Sequence, residues 1–238
     1  MTYKALATDF DGTIAYDGVV DDDTAHALQR ARDLGLTLIL VTGRELSDLF
    51  NTFDRVRLFD LVVAENGAVL HVPADGSVEV LATGPPPEFV ARLQRAGIPL
   101  SVGHSIVATV VPHEGVVLDA IRDLGLDWHV IPNKEAVMAL PANVNKATGL
   151  EIALDRLNLA AAETVGVGDA ENDHAFLRMC GLAVAVDNAL PSLKQAVDVV
   201  TTAARGAGVR ELLARLQEGD LPLPNPGRRT DRDPSLKT

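Results

Sequence analysis

Asp9-Phe10-Asp11-Gly12-Thr13 places two carboxylates two residues apart. The apolar run before them, Ala5 to Thr8, reads as a buried strand, so near its end residues i and i+2 can project to the same side. Gly12 lets the chain turn sharply just after them. Two carboxylates at one strand end suit a hard cation such as Mg2+, which takes oxygen ligands. They also suit a division of labour, with one carboxylate as nucleophile and the other as general acid/base. Three further segments carry complementary groups. Thr42-Gly43-Arg44 ends a second apolar run, and a hydroxyl with free amides at a strand-to-helix turn can hold phosphate oxygens. Lys146 stands in the first turn of an expected helix, where a cation opposes the helix dipole and so points to an anionic partner. Gly166-Val167-Gly168-Asp169-Ala170-Glu171-Asn172-Asp173 runs from an apolar strand through a polar loop into a helix. Its third glycine for a dinucleotide motif is missing, with Glu171 in that place, and its spacing does not match a calcium loop. Asp169 can instead complete a metal site begun by Asp9, with Asn172 and Asp173 just behind it. Singly, these segments also read as an acidic turn, an N-cap, a solvated lysine and a capped loop. Their presence together, in this order, favours the chemical reading.

The elements that must position these groups alternate between strand and helix. Ala25, Leu28, Ala31 and Leu34 give a helical spacing over 22–34, capped by Asp22 or Asp23 and ended at Gly35. Leu36 to Val41 is an apolar run of the kind a parallel strand buried on both faces shows. Glu45 to Phe53 reads as helix and Leu61 to Ala64 as strand, followed by a Glu65-Asn66-Gly67 turn whose flanks could pair as a hairpin. Beyond the middle section come a helix over Lys146 to Leu157, a strand over Thr164 to Val167 and a helix over Asp173 to Met179. Strands over Leu182 to Val186 and Val197 to Thr201 then precede a helix over Val209 to Gln217. This grammar implies an α/β fold with a Rossmann-like parallel sheet covered by helices on both faces. Gly84-Pro85-Pro86-Pro87 breaks the pattern. After it the order becomes helix (87–96), strands (98–102 and 105–111), helix (114–124), strands (126–131 and 136–140). That is an inserted α+β cap with an antiparallel sheet over 84–142, dividing a core of 1–83 and 143–218. The proline-containing tail, 219–238, is expected to be disordered, with Arg228, Arg229 and Arg232 in it.

The chain has 238 residues, 47% of them hydrophobic, and a formal net charge of −12. Its length suffices for a sizeable core, and its acidity disfavours nucleic acid as a partner. No apolar run is long enough to cross a bilayer, and Met1-Thr2-Tyr3-Lys4 has no signal-peptide pattern. The lone cysteine, Cys180, sits in an apolar helical pattern as a small core residue. A cytoplasmic monomer or homodimer without a membrane partner is expected.

The ordered set Asp9-Phe10-Asp11-Gly12-Thr13, Thr42-Gly43-Arg44, Lys146 and Gly168-Asp169-x-x-Asn172-Asp173 resembles the haloacid dehalogenase superfamily. It is most similar to the Cof-type branch, whose cap lies between the second and third motifs. Glu65-Asn66-Gly67-Ala68 and Asp187-Asn188-Ala189 also resemble segments of that branch, with Asp187 where a glycine is usual. The resemblance implies a Mg2+-dependent phosphatase of a small phosphorylated metabolite, phosphoglycolate or a sugar phosphate, working through an aspartyl-phosphate. It implies Asp9 as nucleophile and Asp11 as general acid/base. Asp9, the backbone carbonyl of Asp11 and Asp169 would hold Mg2+. Thr42, the Gly43 amide and Lys146 would bind phosphoryl oxygens, Asn172 would touch phosphate or substrate, and Asp173 would orient Lys146 or a metal-bound water. The cap would bring specificity groups, with His104, His113 and Glu114 as candidates and Trp128 as cap core. A phosphomutase is the alternative, disfavoured by the few cap arginines, Arg92, Arg95 and Arg122. A non-catalytic binding module is a further one, disfavoured by the presence of Asp9, Asp11, Lys146 and Asp169 together.

Overall fold

The structure is a computed structural model that describes residues 3–133 and 135–223; Arg228, Arg229 and Arg232 lie outside them. The first stretch contains β1 (Ala5–Thr8), α1 (Asp22–Asp33), β2 (Thr37–Val41), α2 (Leu46–Thr52), β3 (Leu61–Ala64), β4 (Val69–Val72) and β5 (Ser77–Val80). The middle stretch contains α3 (Pro87–Arg95), β6 (Ser101–Val102), β7 (Val107–Val110), α4 (Glu114–Asp123), β8 (Trp128–Asn133) and β9 (Ala136–Pro141). The chain then forms α5 (Lys146–Arg156), β10 (Thr164–Gly168), α6 (His174–Met179), β11 (Leu182–Ala185), α7 (Pro191–Ala196), β12 (Val199–Val200) and α8 (Arg205–Glu218).

Eight strands form one sheet in the order β12-β11-β10-β1-β2-β3-β4-β5. From β12 to β3 all pairings are parallel, while β4 and β5 are added antiparallel at the edge. Both faces of β11, β10, β1, β2 and β3 are dry, which accounts for their near-continuous apolar sequences. Leu6, Leu38, Leu40, Val165 and Val184 pack on one face with Leu28 of α1 and Leu212 of α8. Ala7, Ile39, Val41 and Ala183 pack on the other with Leu150 of α5, Phe176 of α6 and Leu193 of α7. Full burial of one such leucine stabilises the fold by roughly 1.5–3 kcal/mol, so these alternating residues hold each strand in its layer. β1 lies between β10 and β2. The chain leaves β1 for α1 and β2 on one side, and the β10–β11 connection leaves on the other. The loops therefore part at the carboxyl ends of β1 and β10, which is where open α/β sheets form their crevices.

Caps and close contacts fix the ends of these elements. Asp21, one residue before the expected Asp22 or Asp23, caps α1 by accepting from the Thr24 amide at 2.8 Å. Asn145 caps α5 by accepting from the Ala147 and Thr148 amides, while Thr148 Oγ1 accepts from the Asn145 amide, a reciprocal capping box. Gly149 of α5 meets Gly67 so closely that a Cβ on Gly149 would stand 2.5 Å from the Gly67 Cα. Two glycines thus let α5 approach the turn after β3, and the capping box sets Lys146 at the helix's first residue.

A second sheet, β6-β7-β9-β8, is antiparallel throughout. On one face Val107, Val137 and Ala139 pack with Phe89 and Leu93 of α3 and Val117 and Ile121 of α4, with Trp128 and Val130 against them. The Trp128 ring lies 5.3 Å from that of Phe89. Met138 and Leu140, on the opposite face, belong to the core cluster of the large sheet. The small sheet is therefore a lid with its helices outside. After α8, Gly219 closes the helix in the left-handed conformation. Tyr3 donates its hydroxyl to the Pro222 carbonyl at 2.7 Å and Leu221 packs on the core. Residues 219–223 thus depart from the disorder expected of the tail.

Candidate active site

Asp9 directly follows β1, and its amide donates to the Val167 carbonyl of β10 at 3.0 Å, which locks it to the crevice. Its side chain is buried, as are Lys146, Asp169 and Asp173. Lys146 Nζ donates to Asp9 Oδ1 at 2.5 Å and to Asp173 Oδ1 at 2.6 Å. Asp173 accepts from the Asp169 and Ala170 amides on its other oxygen, at 2.8 and 2.9 Å. A Cβ on Gly168 would sit 2.6 Å from that oxygen, so glycine is what lets the Asp173 carboxylate reach the backbone. Asp169 is steadied by the Thr13 hydroxyl at 3.3 Å. Asn188 donates to the Gly12 carbonyl at 2.8 Å and spans to Asp169 Oδ2 at 3.5 Å.

Carboxylate oxygens of Asp9, Asp169 and Asp173 all lie within 4.8 Å of one another. Three buried carboxylates against one ammonium leave an excess of negative charge. Burial, and then the neighbouring Asp173 and Asp169 charges, push the Asp9 carboxyl up to about 8 despite the opposing pull of Lys146. Burial works against the Lys146 ammonium, but Asp173 and Asp9 outweigh it and raise its pKa. All the donor groups are oxygens, the charge excess is negative, and the set is shielded from water. This combination fits a hard divalent cation.

Asp11 stands outside that cluster. Its two oxygens accept from Arg44 Nη2 at 2.8 Å and Nε at 2.6 Å, a bidentate pair. Arg44 also binds Asp48 and Thr52 of α2 and lies 5.4 Å from the Phe10 ring centroid. Thr42 accepts from the Arg44 amide on its hydroxyl, at 3.1 Å. Gly43 lies against the Asn66 side chain and Met138.

The Glu65-Asn66-Gly67 turn joins the lid to the large sheet. Glu65 and Asn66 both adopt left-handed backbone, at φ 49 and 52, a conformation that costs a non-glycine residue of order 1 kcal/mol or more. The contacts made by both side chains offset that cost. Buried Glu65 accepts from the amides of His104, Ser105 and Ile106 at 3.0, 2.8 and 3.2 Å, and contacts His104 Nδ1 at 3.0 Å. Asn66 Oδ1 accepts from Asn172 Nδ2 at 2.9 Å, while its amide nitrogen contacts Met138 Sδ at 2.9 Å. Beside this seam lies a cavity of about 260 Å³ lined by Glu45, Glu65, Val102 and His104. None of the clustered carboxylates lines it.

The structure brings Asp9, Lys146, Asp169 and Asp173 together, with Asn172 on the adjoining turn. Asp173, expected in a supporting part, is within the carboxylate cluster, whereas the side chain of Asp11 is turned to Arg44. His104 is tied to Glu65 and half-exposed. His113 and Glu114 start α4 on the outer side of the lid, away from the cluster. Arg92 and Arg122 are also on the lid's helices, paired with Asp123. Sequence reasoning named Arg44, Glu65 and Asn188 inside motifs without giving them a part. Their roles come from long-range pairings, which no local pattern signals.

The chain matches the family described as haloacid dehalogenase-like hydrolase over residues 6–92 and 129–213. A phosphoglycolate phosphatase of Methanothermobacter thermautotrophicus is 33% identical over 221 residues, covering 89% of this chain and 98% of the relative. A phosphoglycolate phosphatase of Pyrobaculum aerophilum is 29% identical over 233 residues, covering 94% and 100%. Among solved structures, a haloacid dehalogenase-like hydrolase from Bacteroides thetaiotaomicron superposes with a TM-score of 0.77 at 17% identity, covering 90% of this chain and 99% of that one. A sugar phosphatase of HAD subclass IIB superposes with a TM-score of 0.71 at 20% identity, covering 92% and 100%. These two likenesses concern the fold.

Proposed function

This chain belongs to the haloacid dehalogenase-like hydrolase family, and from that premise we propose that it is a Mg2+-dependent phosphatase of a small phosphorylated metabolite. Phosphoglycolate is the first candidate, since that substrate stands in the names of relatives matching nearly its whole length. The observation that carries the reading is the buried cluster of Asp9, Asp169 and Asp173 around Lys146.

Asp9 is the nucleophile: a carboxylate oxygen attacks phosphorus, the bond to the leaving oxygen breaks, and an aspartyl-phosphate forms. Asp11 donates a proton to the leaving oxygen and then takes one from the water that hydrolyses the acyl phosphate. For this it must exchange its Arg44 contacts for the substrate, so Arg44 stores the acid/base group beside the site. Lys146, the Thr42 hydroxyl and the Gly43 amide hold phosphoryl oxygens, whose charge is spread in the transition state. Asp173 holds Lys146 in line, and Asn172 contacts the phosphate or the substrate. Asp9, Asp169 and the Asp11 carbonyl would hold Mg2+, which when bound offsets the repulsion between carboxylates and phosphate. The lid, residues 84–142, excludes water from the reaction.

The test is hydrolysis of 2-phosphoglycolate and a panel of sugar phosphates, with Mg2+ and with excess EDTA. A kcat/KM above about 10^4 M−1 s−1 on one small ester, lost in EDTA, is expected. Full activity in EDTA would remove the metal from the reading, and no turnover of any ester would remove the phosphatase.

A further inference from the structure

We propose that His129 is the residue of the lid that selects the substrate, and that it selects a phosphate monoester of a two- or three-carbon acid by binding its carboxylate. The inference rests on the phosphatase reading above and deepens it. His129 lies on β8, paired across from Leu140 of β9. Its neighbours Trp128 and Val130 pack with the lid's helices, and Leu140 packs with the large sheet's core. Alternation along the strand therefore sends His129 to the catalytic side. β8 also packs against the Glu171–Asp173 turn, which carries Asn172 and Asp173.

Among the described residues, two buried side-chain polar atoms lack a hydrogen-bond partner: His129 Nε2 and Asn172 Oδ1. One belongs to the lid and the other to the turn that the same strand covers. Leaving such an atom unpaired is costly, and a buried orphan in a native fold calls for an explanation. The orphan on the lid, a nitrogen sent to the catalytic side, is explained by a ligand in the seam that accepts its hydrogen bond. Asn172 Nδ2 is committed to Asn66 and its oxygen can only accept, so Asn172 does not hold the acid's carboxylate and that group falls to His129. A protonated Nε2 can only donate.

The rest of the lid face narrows the ligand. Ala108, Ile131, Met138 and Leu140 are apolar and pack on the core beneath. Ser101, across from Ala108, gives its hydroxyl to Glu45 at 2.5 Å. A hexose phosphate would press several hydroxyls against this apolar face, each losing its hydrogen bonds with water. A short acid brings an acceptor-only group that one imidazole N–H can satisfy.

The experiment compares 2-phosphoglycolate with ethyl phosphate, which has the same chain length and no carboxylate, in the wild type and in His129→Leu and His129→Gln variants. Loss of one hydrogen bond to a charged group predicts a roughly 10- to 100-fold fall in kcat/KM on 2-phosphoglycolate for His129→Leu, chiefly through KM. Ethyl phosphate should change by less than about threefold, and glutamine, which retains a donor, should recover part of the loss. In an Asp9→Asn background, where the ester persists, the His129 ring nitrogen resonances should move on adding 2-phosphoglycolate and stay put with ethyl phosphate. An equal fall on both esters, no fall on either, or a silent His129 resonance would overturn the assignment while leaving the phosphatase in place. A wild type that hydrolyses no phosphate ester would remove both readings together.

Discussion

At the scale of single residues, negative charge is crowded around buried Asp9. Its carboxyl is pushed up to about 8 from an ordinary 3.8, first by burial and then by Asp173. A carboxyl that holds its proton more tightly in the folded state contributes stability that is complete below the unfolded pKa. That stability is lost as pH rises through the folded value. The metal-free protein should therefore lose thermal stability between about pH 4 and pH 8 on account of this site. A cation needs the ionised carboxylate, so Mg2+ should raise Tm little at pH 5.5 and progressively more towards pH 8.5. A thermal-shift titration with Mg2+ at several pH values checks this, and a Mg2+ effect of the same size at every pH would contradict it. Asp9→Asn relieves part of the crowding while keeping a partner for Lys146 in Asp173. It should fold with an unchanged or higher Tm, yet lose turnover by about 10^4-fold or more, as removal of a nucleophile does. Near-wild-type kcat in a folded Asp9→Asn protein would take the nucleophile's role from Asp9.

Among the elements, the turn after β3 is the structural joint. Glu65 receives three backbone amides from residues 104–106 of the lid. Glu65→Ala strands these donors, each costing about 1–3 kcal/mol, so a loss of about 3 kcal/mol or more is expected. Amide exchange at His104, Ser105 and Ile106 should accelerate while β1 stays protected; unchanged exchange there would mean that the lid is held elsewhere. This joint also shows where sequence reading stops. β1, β2, β3, β10 and β11 were legible because burial on both faces makes them apolar throughout. β5 was missed: its residues are exposed and it adds to the sheet's edge. α7 was missed because its six residues are too few for a helical period, although Pro191 marks its start. β6 is only Ser101–Val102, because Ile98 and Leu100 of the expected strand pack on the lid's core from outside it. The carboxylates and Lys146 were legible as motifs because each stands at an element's end. His129 was not: Trp128 and Val130 mark one face of β8 and Ile131 the other, and a single histidine among them gives no local pattern.

For the molecule as a whole, the body built on the large sheet carries the clustered carboxylates and Lys146, and the small sheet packs on it as a roof. The roof's contribution can be isolated by deleting residues 86–140 and joining the ends with a short flexible linker. Both sheets have their own apolar layer, and α3 and α4 pack with the small sheet's outer face, so the large sheet should remain folded. Its stability should fall, because Ile106, Met138 and Leu140 leave the shared cluster. No charge is stranded, since Glu65 would face water in place of the 104–106 amides. The clustered Asp9, Asp169 and Asp173 come from outside the deleted segment, so binding of Mg2+, read by calorimetry, should persist. Lid contacts lie away from the phosphoryl group and can act by orienting the substrate in the transition state. Turnover of 2-phosphoglycolate should then fall by about 10^2-fold or more, while turnover of an aryl phosphate, with no carboxylate for His129, should fall less. Preference between the two esters would collapse towards unity. An equal loss on both, in a protein that still binds Mg2+, would show that the lid only keeps water out, and would move specificity to the loops of the large sheet around Glu65-Asn66-Gly67.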